Sequence, residues 1–257
     1  MNHNLKILKS IWKINIAKFL IYRTEFFLNL FDNLVWFVIT IYFYKYIYAS
    51  AYSIPGVSIK QIYLIICTSE IIKSLLFTFC INNLAAIPSL VRNGTLDGLL
   101  LKPINSQLLV SFREISFGNL AGIVPSIILL MINTKFSVIN GLLYILLVLF
   151  SFVLGYSLWF IIMTISIWLV NLNEIHELFL SLLTLNQFPA KSFKISSKFF
   201  YYLFLPIIIT TSVPTEALLR SGVSLTDILL LSVGSIIALI ASKIFWNISI
   251  NYYSSTN

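Results

Sequence analysis

Long apolar runs recur along the chain, and short polar breaks separate them. About 20 helical residues cross the ~30 Å hydrocarbon core of a bilayer, so runs of this length predict membrane-spanning helices. Span 1 covers Phe26 to Tyr48 and stops at the turn Ser53-Ile54-Pro55-Gly56. Span 2 covers Ile62 to Ile81, and span 3 covers Leu108 to Ile132. Span 4 starts at Val138 and stays apolar to Val170, too long to fit the bilayer upright, so it tilts or projects. Span 5 runs from Leu178 to Gln187-Phe188-Pro189, and span 6 from Leu225 to Trp246. Between them, Phe199 to Ile209 is apolar but too short to cross, and Pro206 and Pro214 interrupt the region. Residues 190–220 therefore predict a re-entrant or extracytoplasmic element.

Ahead of span 1, residues Met1 to Arg23 carry Lys6, Lys9, Lys13, Lys18 and Arg23 without a single acid. Leu5, Leu8, Trp12 and Phe19 recur at helical spacing, and Lys6, Lys9 and Lys13 share another face. This pattern predicts an amphipathic helix over residues 1–24, lying in the membrane interface. The basic stretch is too long for a signal peptide and no small-residue cleavage site follows, so the segment is read as part of the mature chain. The fold class is all-α. It is a polytopic membrane bundle of six transmembrane helices, with an interfacial helix first and a re-entrant element before the last span. Residues 1–257 read as one membrane domain.

Composition agrees with this reading. Of 257 residues, 59% are apolar and 10% charged, against about 25% charged in a soluble domain. The mean hydropathy is +0.94. These values exclude an ordinary soluble enzyme and a disulfide-stapled secreted domain. The net charge of +8 reads as a topology signal and an attraction to anionic lipid, not as a nucleic-acid surface. The basic leader puts the N-terminus inside, and six spans return the C-terminus to the same side. Residues 82–107, with Arg92 and Lys102, fall inside too, whereas Lys191, Lys194 and Lys198 run against the rule. Cys67 and Cys80 share one apolar run, too far apart on a helix to bond, and read as small apolar fillers.

No catalytic, cofactor or metal site is legible. A nucleotide-cradling glycine loop is missing. His176-Glu177 begins a zinc-protease pattern, but Leu180 stands where the second His is needed. Gly155-Tyr156-Ser157 begins a nucleophile elbow, but Trp159 replaces the second Gly. Inside the spans, Glu70 and Lys73 lie three residues apart on one helical face. They read as a self-neutralising ion pair or, less favoured, as part of a substrate path. Arg113 and Glu114 point about 100° apart on a helix and sit at the inner interface. Asp32 and Asn33 cap or pair near the inner end of span 1. Gly118 and Gly122 form a face that permits close helix packing, within one subunit or between two. Tyr42, Tyr44, Tyr46 and Tyr48 read as an interfacial belt.

The most distinctive stretch is Leu90 to Asn105. Asn93-Gly94 predicts a turn, Thr95 caps a short helix, Asp97 sits in its first turn, and Pro103 stops it. Leu96, Leu99 and Leu100 share one face, which rests on lipid or docks a cytoplasmic partner.

Arg92-x-Gly94-x-Leu96-Asp97-x-x-Leu100-x-x-Pro103 resembles the cytoplasmic loop of type-2 ABC transporter permeases. Trp168, Gln187-Phe188-Pro189, Pro206 and Ser212 to Leu218 resemble the second half of a bacterial branch of that family. The resemblance implies a permease in the bacterial plasma membrane, paired with a second permease of the same or a sister chain. Two separate cytoplasmic ATPase subunits would bind the ATP, leaving this chain without a cofactor. Arg92, Gly94, Leu96, Asp97, Leu99, Leu100, Lys102 and Pro103 would form the coupling element that the ATPase grips. The cargo of such an exporter would be amphipathic, peptide or lipid-like. An ion-coupled carrier using Glu70, Lys73, Arg113 and Glu114 stays open as an alternative, as does a membrane immunity or assembly protein that transports nothing.

Overall fold

A computed structural model describes residues 2–21, 23–49, 57–134, 137–169, 175–188, 198–219 and 222–253. All regular structure among them is helical. In chain order the helices are α1 (Asn2–Ile21), α2 (Arg23–Ala49), α3 (Ile59–Leu76), α4 (Asn82–Ala85), α5 (Ile87–Arg92), α6 (Asp97–Leu100), α7 (Ser106–Ser111), α8 (Ile123–Asn133), α9 (Val138–Thr164), α10 (Ile175–Thr184), α11 (Lys198–Ala217) and α12 (Leu225–Tyr252). A π-helical turn (Phe77–Ile81) joins α3 to α4, and 3₁₀ turns occupy Phe117–Gly122, Ile165–Ile167 and Leu185–Gln187.

The distribution of side chains is the reverse of a soluble globule. Leu142, Ile145, Leu149, Leu229, Ile236 and Ile240 on α9 and α12 face outward. Thr68, Ser69, Thr78, Ser151, Ser235 and Ser242 are buried. Outside a bilayer that arrangement would cost heavily; inside one, lipid covers the apolar faces and protein satisfies the hydroxyls. Most of these hydroxyls donate to a carbonyl three or four residues back, as Thr68 does to Leu64 at 2.8 Å and Thr78 to Ser74 at 2.7 Å.

Among the described residues, four helical stretches are long and apolar enough to cross a membrane. They are Phe26–Ile47, Ile59–Arg92, Val138–Ile167 and Leu225–Tyr252. The second runs 34 residues, further than expected, so the loop after it spans only Asn93 to Asn105. Ser58 starts it with a reciprocal cap: its Oγ accepts from Gln61 N, and Gln61 Oε1 accepts from Ser58 N. The expected third span is not one helix. It is α7, a non-helical step at Phe112–Ser116, a 3₁₀ turn and then α8. Arg113 and Glu114 fall on that step, so the 100° helical offset does not apply, and their Nε and Oε1 atoms lie 3.6 Å apart. The expected fifth span is helical from Ile175 only to Gln187, and Pro189, Lys191 and Lys194 lie outside the described residues.

In place of an eleven-residue run, α11 is a 20-residue helix that continues through Pro206 and Pro214. A helical proline leaves the carbonyl four residues back without a partner. Pro214 frees the Thr210 carbonyl, and Ser151 of α9 fills the vacancy by donating to it at 2.7 Å. α9 packs on both α11 and α12 and so forms the spine of the bundle. Tyr44 leaves the expected tyrosine belt: it is buried, with its ring against Phe188, whereas Tyr42 and Tyr46 are exposed. Cys67 and Cys80 are buried free thiols.

Candidate functional site

The loop from Arg92 to Pro103 closes on the same end of the bundle as the C-terminal parts of α9 and α12. Trp246 of α12 meets Phe160 of α9 edge to face and donates to Ser106 Oγ. Gln107 donates to both Tyr156 and Ser242. Gly94 has φ 65°, a conformation that favours glycine, and its N–H closes on the Val91 carbonyl. This is the turn expected from Asn93-Gly94. Thr95 does not cap: its hydroxyl donates backward to the Leu90 carbonyl, and α6 is a single turn without a side-chain cap. Asp97 lies in that turn, and the Tyr253 hydroxyl beside it is pushed up from its ordinary value by burial and by the Asp97 carboxylate.

The leucines of the loop divide unexpectedly. Leu96 and Leu99 are buried in the core, and Leu100 is half-buried against it. They fasten the turn to the bundle. Outward exposure belongs to Arg92, Gly98, Lys102 and above all Leu101, which is 85% exposed and was not counted in the leucine face. Space around Gly98 is open.

Glu70 and Lys73 form the expected pair, with Lys73 Nζ donating to Glu70 Oε1 at 3.0 Å. The same oxygen accepts from Gln187 Nε2 at 3.1 Å, across 117 residues. Around this junction Asn186 O accepts from Thr211, and Thr215 donates to Thr68, which in turn shares a bond with Tyr144. The ion pair is therefore part of a polar seam between α3, the Leu185–Gln187 turn and α11. His176 is half-buried, and its ring meets the Trp159 ring at 5.1 Å.

The Phe112–Ser116 step has lost its helical hydrogen bonds, and two asparagines replace them. Asn83 Nδ2 donates to Ser111 O and Glu114 O at 3.0 and 2.7 Å, and its Oδ1 accepts from Glu114 N. Asn15 of α1 donates to Arg113 O and accepts from Ile115 N. Ser116 N donates to Thr78 O, a carbonyl on the π-helical turn of α3. The Phe117–Gly122 turn then presses on α2. A Cβ on Gly118 would lie 2.5 Å from Asn29 Nδ2, and one on Gly122 would lie 2.6 Å from Ser74 Oγ and 3.0 Å from Asn33 Oδ1. The Gly118–Gly122 face thus packs within one subunit, on Asn29 and Asn33.

This clamp leaves two polar chambers side by side. One, of about 340 Å³, includes Asn15, Lys18, Asn82, Glu114 and Ser116 in its walls. The other, of about 230 Å³, includes Asp32, Asn33, Glu70, Lys73, Ser74 and Phe77. Asn29 and Asn119 line both. Sequence reasoning missed Asn15, Asn83 and Asn119, and gave Asn29 and Gln187 no bonding role. The available signal was amides on otherwise apolar helical faces, which bury only when they have partners.

Comparison with known proteins adds one finding. The family described as ABC-2 family transporter protein matches residues 34–257. No curated protein and no solved structure matches the chain.

Proposed function

The chain belongs to the ABC-2 family of transporter proteins, and on that premise we propose that it is the membrane permease subunit of an ATP-binding-cassette exporter. It is a multi-pass membrane transport component. A separate cytoplasmic ATPase supplies the energy, and a second permease, the same or a sister chain, completes the pore in the bacterial plasma membrane with both termini inside. The cargo is amphipathic, peptide or lipid-like.

The observation that supports a docking role for the Arg92–Pro103 loop is its two-sided construction. Leu96 and Leu99 root it in the core, and Leu101 stands in the open with Lys102. A force applied at Leu101 passes through buried leucines to α7, whose Ser106 and Gln107 are hydrogen-bonded to α9 and α12, without deforming a flexible linker. Arg92, Gly94, Asp97, Leu100 and Pro103 shape the turn. An exposed leucine at a loop tip is costly to leave in water and cheap to cover with a partner.

The experiment is co-purification of the chain with its ATPase, followed by Leu101→Asp and Lys102→Glu. Both variants should fold as the parent does and lose cargo-stimulated ATP hydrolysis at least tenfold. Undiminished docking and stimulation in the two variants would refute the assignment. The ion-coupled alternative would show as gradient-driven transport by the isolated chain in liposomes. The non-transporting alternative would show as protection that survives a catalytically dead ATPase.

A further inference from the structure

None of the residues Arg92 to Pro103 is among those lining the paired chambers, and nothing above gives the chambers an occupant. Each is large enough for many waters, and the larger falls within the range of ligand pockets. Their walls carry both signs of charge. In the second chamber Lys73 is already bound to Glu70, and in the first Glu114 faces Arg113. That leaves one cation, Lys18, in the first chamber and one anion, Asp32, in the second, neither with an ion-pair partner among the described residues. Between them Asn29 and Asn119 present side-chain amides to both spaces. Phe77 adds an aromatic wall on the Asp32 side, where an ammonium gains from a ring face.

We propose that the two chambers hold the head of a zwitterionic phospholipid, its phosphodiester beside Lys18 and its ammonium beside Asp32. A simple anion would satisfy only the first chamber and a simple amine only the second. The tails have a path: Phe27, Leu28 and Phe31, within a turn of Asn29 and Asp32 on α2, are each at least 65% exposed. This apolar strip favours a lipid over a zwitterionic peptide. The clamp at Phe112–Ser116 acquires a purpose here, because a continuous third helix would not turn Glu114, Ser116 and Asn119 toward one cavity. The proposal rests on the permease reading only in making the site part of a transport protein.

The test uses the full chain in nanodiscs with equal fractions of phosphatidylethanolamine, phosphatidylcholine and phosphatidylglycerol, released into native mass spectrometry. Zwitterionic lipid should stay bound in preference to phosphatidylglycerol. Asp32→Asn and Lys18→Gln should each lower its occupancy at least fivefold, and Asp32→Glu should restore it. Asp32→Asn should leave phosphatidylglycerol retention unchanged. Soluble glycerophosphoethanolamine should compete, which separates recognition of the head from adhesion of the tails. Equal retention of all three lipids, indifference to Asp32→Asn, or displacement by an uncharged-side-chain tripeptide but not by the glycerophosphodiester would each overturn the proposal. Both side chains are exposed, and an unchanged melting midpoint certifies the variants. Since no ATPase is present, a negative result leaves the permease reading standing, and a lost ATPase complex leaves this one standing.

Discussion

Asn83→Leu removes the side chain on which the broken third segment depends. Asn83 is 3% exposed and makes three hydrogen bonds to Ser111 and Glu114. Leucine has similar bulk, so the loss is polar and leaves little cavity. Hydrogen bonds measured inside membrane proteins average ~0.6 kcal/mol and reach about 1.7 kcal/mol. A buried backbone group left without a partner costs ~1–3 kcal/mol. Glu114 is exposed and water can reach its backbone, whereas Ser111 is fully buried. The sum is about 2–4 kcal/mol, which for a chain of this size lowers the melting midpoint by roughly 4–16 °C. The assay is thermal unfolding of the detergent-solubilised chain, with limited proteolysis reading cleavage near Arg113. Asn82→Leu is the matched control. Asn82 is exposed and donates one bond, to Ser116 Oγ at 3.2 Å, so its loss should shift the midpoint by no more than about 2 °C. Equal shifts in the two variants, or unchanged cleavage in Asn83→Leu, would refute the clamp.

Three further outcomes are expected. Ser151→Ala should cost about 1–2 kcal/mol, and adding Pro214→Ala, which restores an N–H for Thr210 O, should recover part of it; strict additivity in that double-mutant cycle would sink the account of the helical proline. Gly122→Ala should destabilise more than Gly118→Ala by thermal midpoint. Gly118 meets only the free end of the Asn29 amide, whereas Gly122 meets Asn33, whose amide is tied to the Asn29 carbonyl. Leu99→Ala should cost about 2–4 kcal/mol and Leu101→Ala almost nothing in the isolated chain, with the order reversed for binding the ATPase.

Helical periods and run lengths made α2, α3, α9 and α12 legible, since in a bilayer apolar length alone nearly dictates a helix. The Asn93-Gly94 turn was legible for the same local reason: positive φ is a property of one residue. The Phe112–Ser116 step was hidden because Leu108 to Ile132 is long and mostly apolar, so Arg113 and Glu114 read as charges on a continuous helix, and what breaks it are amides from α1 and α4 that no window around residue 114 contains. Gln187 escaped because its bond to Glu70 spans 117 residues. The leucine face was misassigned because one turn of helix has no reliable periodicity; only the position of the core shows that Leu96 and Leu99 turn inward and Leu101 outward.

The borrowed bonding of the third segment carries over to biogenesis. A span that completes its own backbone bonds can enter the bilayer from the ribosome alone, but this one cannot. Its Arg113 to Ser116 peptide groups have partners only when α1, the π-helical turn and Asn83 are already in place. All of those are synthesised earlier. Chain order is thus also the order of assembly, and transplanting residues 106–133 into a foreign host should yield a segment that the insertion machinery rejects.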